Sequence, residues 1–277
     1  MLVTWWVLNH TNSKIEHFLE QPLPAETRAV LLTALYFSGQ WAEPFVPEHT
    51  RKLPFSTPTK QVMVDLMASF SQFNYVFSYE DGLQMIQFPY NDSATSMYVI
   101  KPSFPKRMNL TQMMDQLDYD KIITLINQLS RKKCVVRFPK MQLNSKVDLK
   151  DTLRAMGAKA MFTPGVANFA IMLENNSDMH DVEDNLIIRI NNGDGETHWL
   201  KELVDRIPNP GVHVDSVLHQ VKITIDEYGT EAVAATSAVM ARTAEMFYAD
   251  SPFFMFIRND RTNLITFSAV VYDPTAN

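Results

Sequence analysis

The sequence predicts an α+β domain, and three observations carry that prediction. Strand-like and helix-like runs are mixed along the chain rather than alternating as regular β-α units. No internal repeat and no linker-like stretch divides it. At 277 residues and 46% hydrophobic composition, the chain can bury one large core, or two small ones.

Residues 5–19 place Trp6, Ile15, Phe18 and Leu19 among polar neighbours, the pattern of an amphipathic helix stopped by Pro22 and Pro24. Residues 28–37 form a short, nearly continuous apolar run closed by Ser38-Gly39. Such a run suits a strand buried on both faces, although periodicity alone also allows a helix. From 50 to 104 the runs Gln61–Met67, Asn74–Tyr79, Gln84–Tyr90 and Ser96–Ile100 predict an antiparallel meander. Asp81-Gly82 and Asn91-Asp92 supply turns. Leu110, Met113, Met114 and Leu117 predict a helix within 110–129, with a second short one around Ile122–Leu129. Residues 133–143 return to strand, and Asp148–Met156 reads as a helix closed by Gly157. The least regular part is 174–211, in which Asn191-Asn192-Gly193-Asp194-Gly195 is a turn without the acidic spacing of a calcium loop. Val214–Ile225 alternates as a strand, and 253–258 and 264–272 are two closing strands.

Composition narrows the function. The net charge is −6 and the longest basic run is Arg131-Lys132-Lys133, which argues against nucleic-acid binding. No apolar run approaches the roughly 20 residues that span a bilayer. The apolar N-terminus lacks a basic leader and a small-residue cleavage site, so it reads as a poor signal peptide. The single cysteine, Cys134, lies in a strand-like run and reads as a buried small apolar residue. Sequons occur at Asn9, Asn91, Asn109 and Asn175, a weak sign of a secreted glycoprotein. There is no Gly-x-Ser-x-Gly, no His-Glu-x-x-His and no phosphate-binding glycine loop. The seven histidines show no ligand spacing, so neither an enzyme, a metal nor a cofactor is expected.

One segment needs separate treatment. On propensity alone Glu231–Met246 reads as a helix, since Ala, Met, Arg and Glu favour it. Yet from Thr230 to Ala241 every side chain except Glu231 and Met240 is small or β-branched. Such a run also fits inside a sheet. Its setting, Asp226-Glu227-Tyr228-Gly229-Thr230-Glu231-Ala232-Val233-Ala234-Ala235-Thr236, closely resembles the hinge of the serpin reactive loop. Further stretches are similar to serpin signatures, in the right order. Thr33-Ala34-Leu35-Tyr36-Phe37-Ser38-Gly39-Gln40-Trp41, followed by Pro44-Phe45, is the first. Phe138-Pro139-Lys140, Ala249-Asp250-Ser251-Pro252-Phe253 and Val271-Tyr272-Asp273-Pro274 follow it. The resemblance covers essentially the whole chain, and an insect-like or other invertebrate secreted type is in view.

The resemblance implies one serpin domain over 1–277, with three sheets and surrounding helices. Its start falls near the family's sixth helix, so the earlier helices and strands are not included. It implies an extracellular monomer that inhibits a trypsin-like serine protease as a suicide substrate. The protease cuts an exposed loop at about 229–248, forming an acyl-enzyme. The cut loop then enters the central sheet as a new strand. The hinge is carried by Glu227, Gly229, Thr230, Glu231, Ala232, Ala234, Ala235 and Thr236. The reactive bond falls at Arg242-Thr243 or Thr243-Ala244. Arg242 suits a trypsin-like protease, although an arginine there also reads as a plain solvated charge. Trp41 marks where the loop first enters the sheet, and His219 lies under the sheet's middle. Thr33 stands where the family usually carries an asparagine bonded to that histidine.

Two other readings stay open. The loop is two to four residues shorter than in many inhibitors, which favours a non-inhibitory serpin with a binding or storage role. The third is an inactive fragment.

Overall fold

The computed structural model describes residues 2–16, 18–19, 21–25, 27–169, 211–228 and 244–276. The chain divides into two compact units, Met1–Leu35 with Ser145–Val221, and Tyr36–Asn144 with Lys222–Asn277.

The first unit opens with helix α1, Leu2–His10. It ends earlier than the 5–19 pattern predicts. The Thr11 hydroxyl donates to the Val7 carbonyl, and Asn12 and Ser13 take φ of 47° and 59°, a left-handed turn that closes the helix. The apolar residues that suggested a longer helix are used differently: Ile15 and Phe18 fold back to bury with Val7. Strand β1, Ala29–Phe37, lies where the apolar run predicts, but it is not buried on both faces. Leu32 and Ala34 pack on the α1 cluster, while Leu31, Thr33 and Leu35 are exposed. β1 ends a three-stranded sheet of order β1-β8-β7, where β7 is Met141–Asp148 and β8 is Val214–Ile225. Helix α4, Lys150–Ala155, is closed as predicted by Gly157 at φ +105°, a conformation that costs other residues energy. The Asp148 carboxylate accepts from the backbone of both Lys150 (2.9 Å) and Val217 (3.0 Å).

The second unit is built on an eight-stranded sheet. Its strands are β2 Arg51–Ser56, β3 Gln61–Ser78, β4 Leu83–Pro89, β5 Thr95–Pro102, β6 Ser130–Pro139, β9 Glu245–Tyr248, β10 Phe253–Asn259 and β11 Ile265–Val271. Their order is β11-β10-β5-β4-β3-β6-β9, with β2 also on β3. The two strands expected at Gln61–Met67 and Asn74–Tyr79 are one 18-residue strand. β6 pairs across the gap between them, from Leu66↔Pro139 to Tyr75↔Ser130, and that ladder overrides the weak propensity of Ala68, Ser69, Ser71 and Gln72. β2 has no strong period-two signal and contains Pro54. It pairs only with β3 among the described residues, a position that tolerates proline.

Helices α2, Leu110–Gln116, and α3, Tyr119–Gln128, are the two expected within 110–129, the second starting three residues earlier than its pattern suggests. They are separated where Asp118 caps α3 by accepting from Lys121 N at 2.8 Å. Both helices bury apolar faces on the sheet: Leu110, Met113, Ile122 and Leu125 meet Met85, Tyr98, Ile100 and Phe256. β9 is the remaining correction. The helix that propensity favours for Glu231–Met246 cannot include 245 and 246, which are strand, paired in parallel with β6.

Candidate functional site

The site suggested by the sequence has two ends in the described structure. The stretch between them is not described. Gly229, Thr230, Glu231, Ala232, Ala234, Ala235, Thr236, Arg242 and Thr243 lie outside the described residues, as do Asn175 and most of 174–211.

The first end is built around Glu227, immediately after β8. Its side chain is buried and held from two sides. The Thr50 hydroxyl donates to Oε1 at 2.8 Å, and the Lys140 ammonium donates to Oε2 at 2.8 Å. Burial pushes the Glu227 carboxyl up, but the hydrogen bonds from Lys140 and Thr50 outweigh it and hold the group below the usual carboxylate range. The hydrogen bond to Glu227 in turn raises Lys140. Its backbone is tied as well: Phe45 N donates to the Glu227 carbonyl at 2.8 Å, and Trp41 N to the Tyr228 carbonyl at 3.1 Å.

Trp41 supplies the apolar floor. It is buried, stacks on Tyr90 at 4.5 Å between ring centroids, and meets Phe88 and Phe45 at its edges. Its indole Nε1 donates to the Asp226 carbonyl at 3.0 Å. Gly39 permits this packing, because a Cβ there would stand 2.7 Å from the Tyr90 ring. The sequence reading placed Glu227 in the loop hinge and Trp41 where the loop enters the sheet, and did not foresee that Trp41 bonds the carbonyls on either side of Glu227. It missed Lys140 and Thr50. Lys140 was visible as the last residue of Phe138-Pro139-Lys140, but nothing in the sequence says which carboxylate it meets, 87 residues away.

The second end is β9, where the described chain resumes. Cys134↔Glu245, Val135↔Met246, Val136↔Phe247 and Arg137↔Tyr248 pair in parallel. The loop expected at 229–248 thus ends by 244, since 245–248 belong to the sheet. Phe247 and Ala249 are fully buried. Lys132 pairs with Glu245 at 3.4 Å, the Arg137 guanidinium lies 4.7 Å over the Tyr248 ring, and the Lys101 ammonium donates to the Tyr248 carbonyl. Burial pushes the Cys134 thiol up to about 11, as suits an inert interior cysteine.

Thr33 and His219 are carried by β1 and β8, neighbours in the three-stranded sheet. Thr33 is exposed, His219 is half-buried, and no hydrogen bond joins the two. Asn9, Asn91 and Asn109 are all exposed. Asn109 also caps α2, accepting from Gln112 N at 2.8 Å. Among the described residues no group of three His, Cys, Asp or Glu side chains is placed to hold a metal ion, and no helix is long and apolar enough to cross a membrane.

Comparison with known proteins agrees with this architecture. A family model described as Serpin (serine protease inhibitor) matches residues 2–274. Serine protease inhibitor 28Dc of Drosophila melanogaster is 30% identical over 98% of this chain and 51% of its own length. Iripin-1 of Ixodes ricinus is 30% identical over 97% of this chain and 60% of its own. Among solved structures, uncleaved ovalbumin superposes with a TM-score of 0.75 at 23% identity, over 99% of this chain and 62% of that one. The chain therefore spans between half and two thirds of these relatives.

Proposed function

The chain belongs to the serpin family, and from that premise we propose that it inhibits a trypsin-like serine protease by presenting residues 229–244 as a cleavable loop. The observation that carries this reading is the fixing of both loop ends. Glu227 and Tyr228 are tied to Trp41, Phe45, Thr50 and Lys140, while Glu245–Tyr248 is a strand of the sheet. Between them lies the run of small side chains Thr230–Ala241.

In this mechanism the protease serine attacks the carbonyl of Arg242 or Thr243 and forms an acyl-enzyme. The segment before the cut is then released at one end. Gly229 to Arg242, drawn out as a strand, spans roughly 46 Å at about 3.3 Å per residue. Thr230, Ala232, Ala234, Thr236, Ala238 and Met240 alternate onto one face, and most are small enough to enter a preformed gap. Each backbone hydrogen bond gained contributes about 0.5–1.5 kcal/mol net, so a strand of this length supplies a large one-way driving force. Trp41 marks the entrance, and the Glu227 hinge is the point about which the segment turns. The protein acts outside the cell as a monomer, and the exposed Asn9, Asn91 and Asn109 are its accessible glycosylation sites.

Incubating the purified chain with trypsin, followed by a denaturing gel and mass spectrometry, tests the proposal. Inhibition gives a band at the summed mass that survives denaturation, with a cut after Arg242 or Thr243. Cleavage there with free, active trypsin defeats it and leaves the non-inhibitory serpin or the inactive fragment. No cleavage between 229 and 244 defeats the exposed-loop reading itself.

A further inference from the structure

The solvent face of β3, β6 and β9 carries an ordered pattern that the hinge and loop do not use. Register places Phe70 opposite Val135 and Val135 opposite Met246, so three apolar side chains form one row across three strands. Met246 is 60% exposed and continues the partly exposed Phe70 and Val135, so the row is a contiguous apolar patch and not a lone exposed side chain. On either side along β6 stand Lys133, which is exposed, and Arg137, which is stacked on Tyr248. Arg131 lies on the same face but is paired with Glu43 at 3.4 Å. An apolar centre with a cationic margin is thus presented by a chain of net charge −6.

We propose that this face is a docking surface for the attacking protease, and that it selects proteases bearing an acidic patch beside the active-site cleft. The proposal rests on the loop reading above, because the loop brings the partner here. Only two residues, Ala244 and Glu245, separate Thr243 from Met246, and the three steps span at most about 10 Å of extended chain. A protease domain of about 230 residues has a radius of gyration of about 17 Å. Its body therefore overhangs the Phe70–Val135–Met246 row whenever its active site engages Arg242 or Thr243. An acidic patch on that overhang is drawn to Lys133 and Arg137, which raises the association rate, while the apolar row excludes water on contact.

The test compares two trypsins of the same specificity, one anionic and one cationic, by the second-order rate of loop cleavage or inhibition at low salt. Net charge alone predicts faster reaction with the cationic enzyme. The docking surface predicts the reverse, about a tenfold advantage for the anionic enzyme. That advantage is lost at about 0.5 M salt and in Lys133→Glu/Arg137→Glu, whose exposed and half-buried sites leave the core intact. Met246→Ser then slows both enzymes about threefold. An anionic advantage that persists in the double variant, or a faster cationic enzyme with the unmodified chain, overturns the surface while the loop reading stands. If neither trypsin cuts between 229 and 244, the loop reading fails and the surface loses its occupant with it.

Discussion

The two ends of the proposed loop are held by different physics. At Glu227 the contacts are polar and few: one carboxylate shared between an ammonium and a hydroxyl, and carbonyls that accept from Trp41 and Phe45. At β9 the contacts are a strand ladder and buried apolar surface, with Phe247 and Ala249 wholly enclosed. Polar contacts such as that of buried Glu227 with half-exposed Lys140 exchange with water at small net cost, because the net gain of each is small. Buried aromatic surface does not, since opening it exposes apolar area. The difference teaches which end is able to move. On the proposed reading the Glu227 end is the hinge and the β9 end the anchor.

The strongest way to break this comparison is to weaken the anchor. Phe247→Ala should destabilise the fold by about 3–5 kcal/mol, the cost of emptying a fully buried aromatic site, read as a fall in the urea midpoint. A loss below about 1 kcal/mol would show that β9 is not an anchor. Glu227→Gln should cost less, about 1–2 kcal/mol, because Lys140 is half-exposed and recovers solvation when its partner goes. Limited proteolysis should become faster around 226–230, with β9 unchanged. Trp41→Phe keeps the stacking surface but deletes the donor to the Asp226 carbonyl. It should cost about 1 kcal/mol in the same denaturation experiment.

A pH titration sharpens the contrast further. The carboxyl of Glu227 is held below its unfolded value, so its stabilisation is complete above that unfolded value and is lost as pH falls through the depressed one. Lys140 is raised, so its share is complete below the ordinary lysine range and is lost as pH rises through the higher value. Stability measured across the acid range should therefore fall less steeply in Glu227→Gln than in the unmodified chain. Equal slopes would remove Glu227 from the account. The smallest effect is a labelling rate. Cys134 pairs with Glu245 and its thiol is raised to about 11, so a thiol reagent at pH 8 should modify the native protein far more slowly than the unfolded one. Rapid native labelling would mean that β9 lifts from β6.

Much of this was legible before any coordinates. β8 has the bounds its alternation predicts, and β4, β5, β10 and β11 lie within a few residues of theirs. Glu227 and Trp41 were both named from ordered motifs, and they do meet in one locale. What was not legible depended on partners distant in sequence. β3 reads as two strands until β6 is laid beside it. The helix around Ile15 and Phe18 ends early because Asn12 and Ser13 turn left-handed and return those side chains to Val7.

By itself the sequence determined the class of fold and most of its strands and helices, and its ordered motifs nominated the hinge candidates, because periodicity, turn residues and motif order are local properties of the chain. Tertiary structure alone decided that Lys140 and Thr50 grip Glu227, that residues 245–248 are strand and not helix, and that Phe70, Val135 and Met246 share one row. Strand register and hydrogen bonding join residues far apart in sequence, Thr50 and Glu227 by 177 positions, and which of them meet is settled only when the sheet assembles.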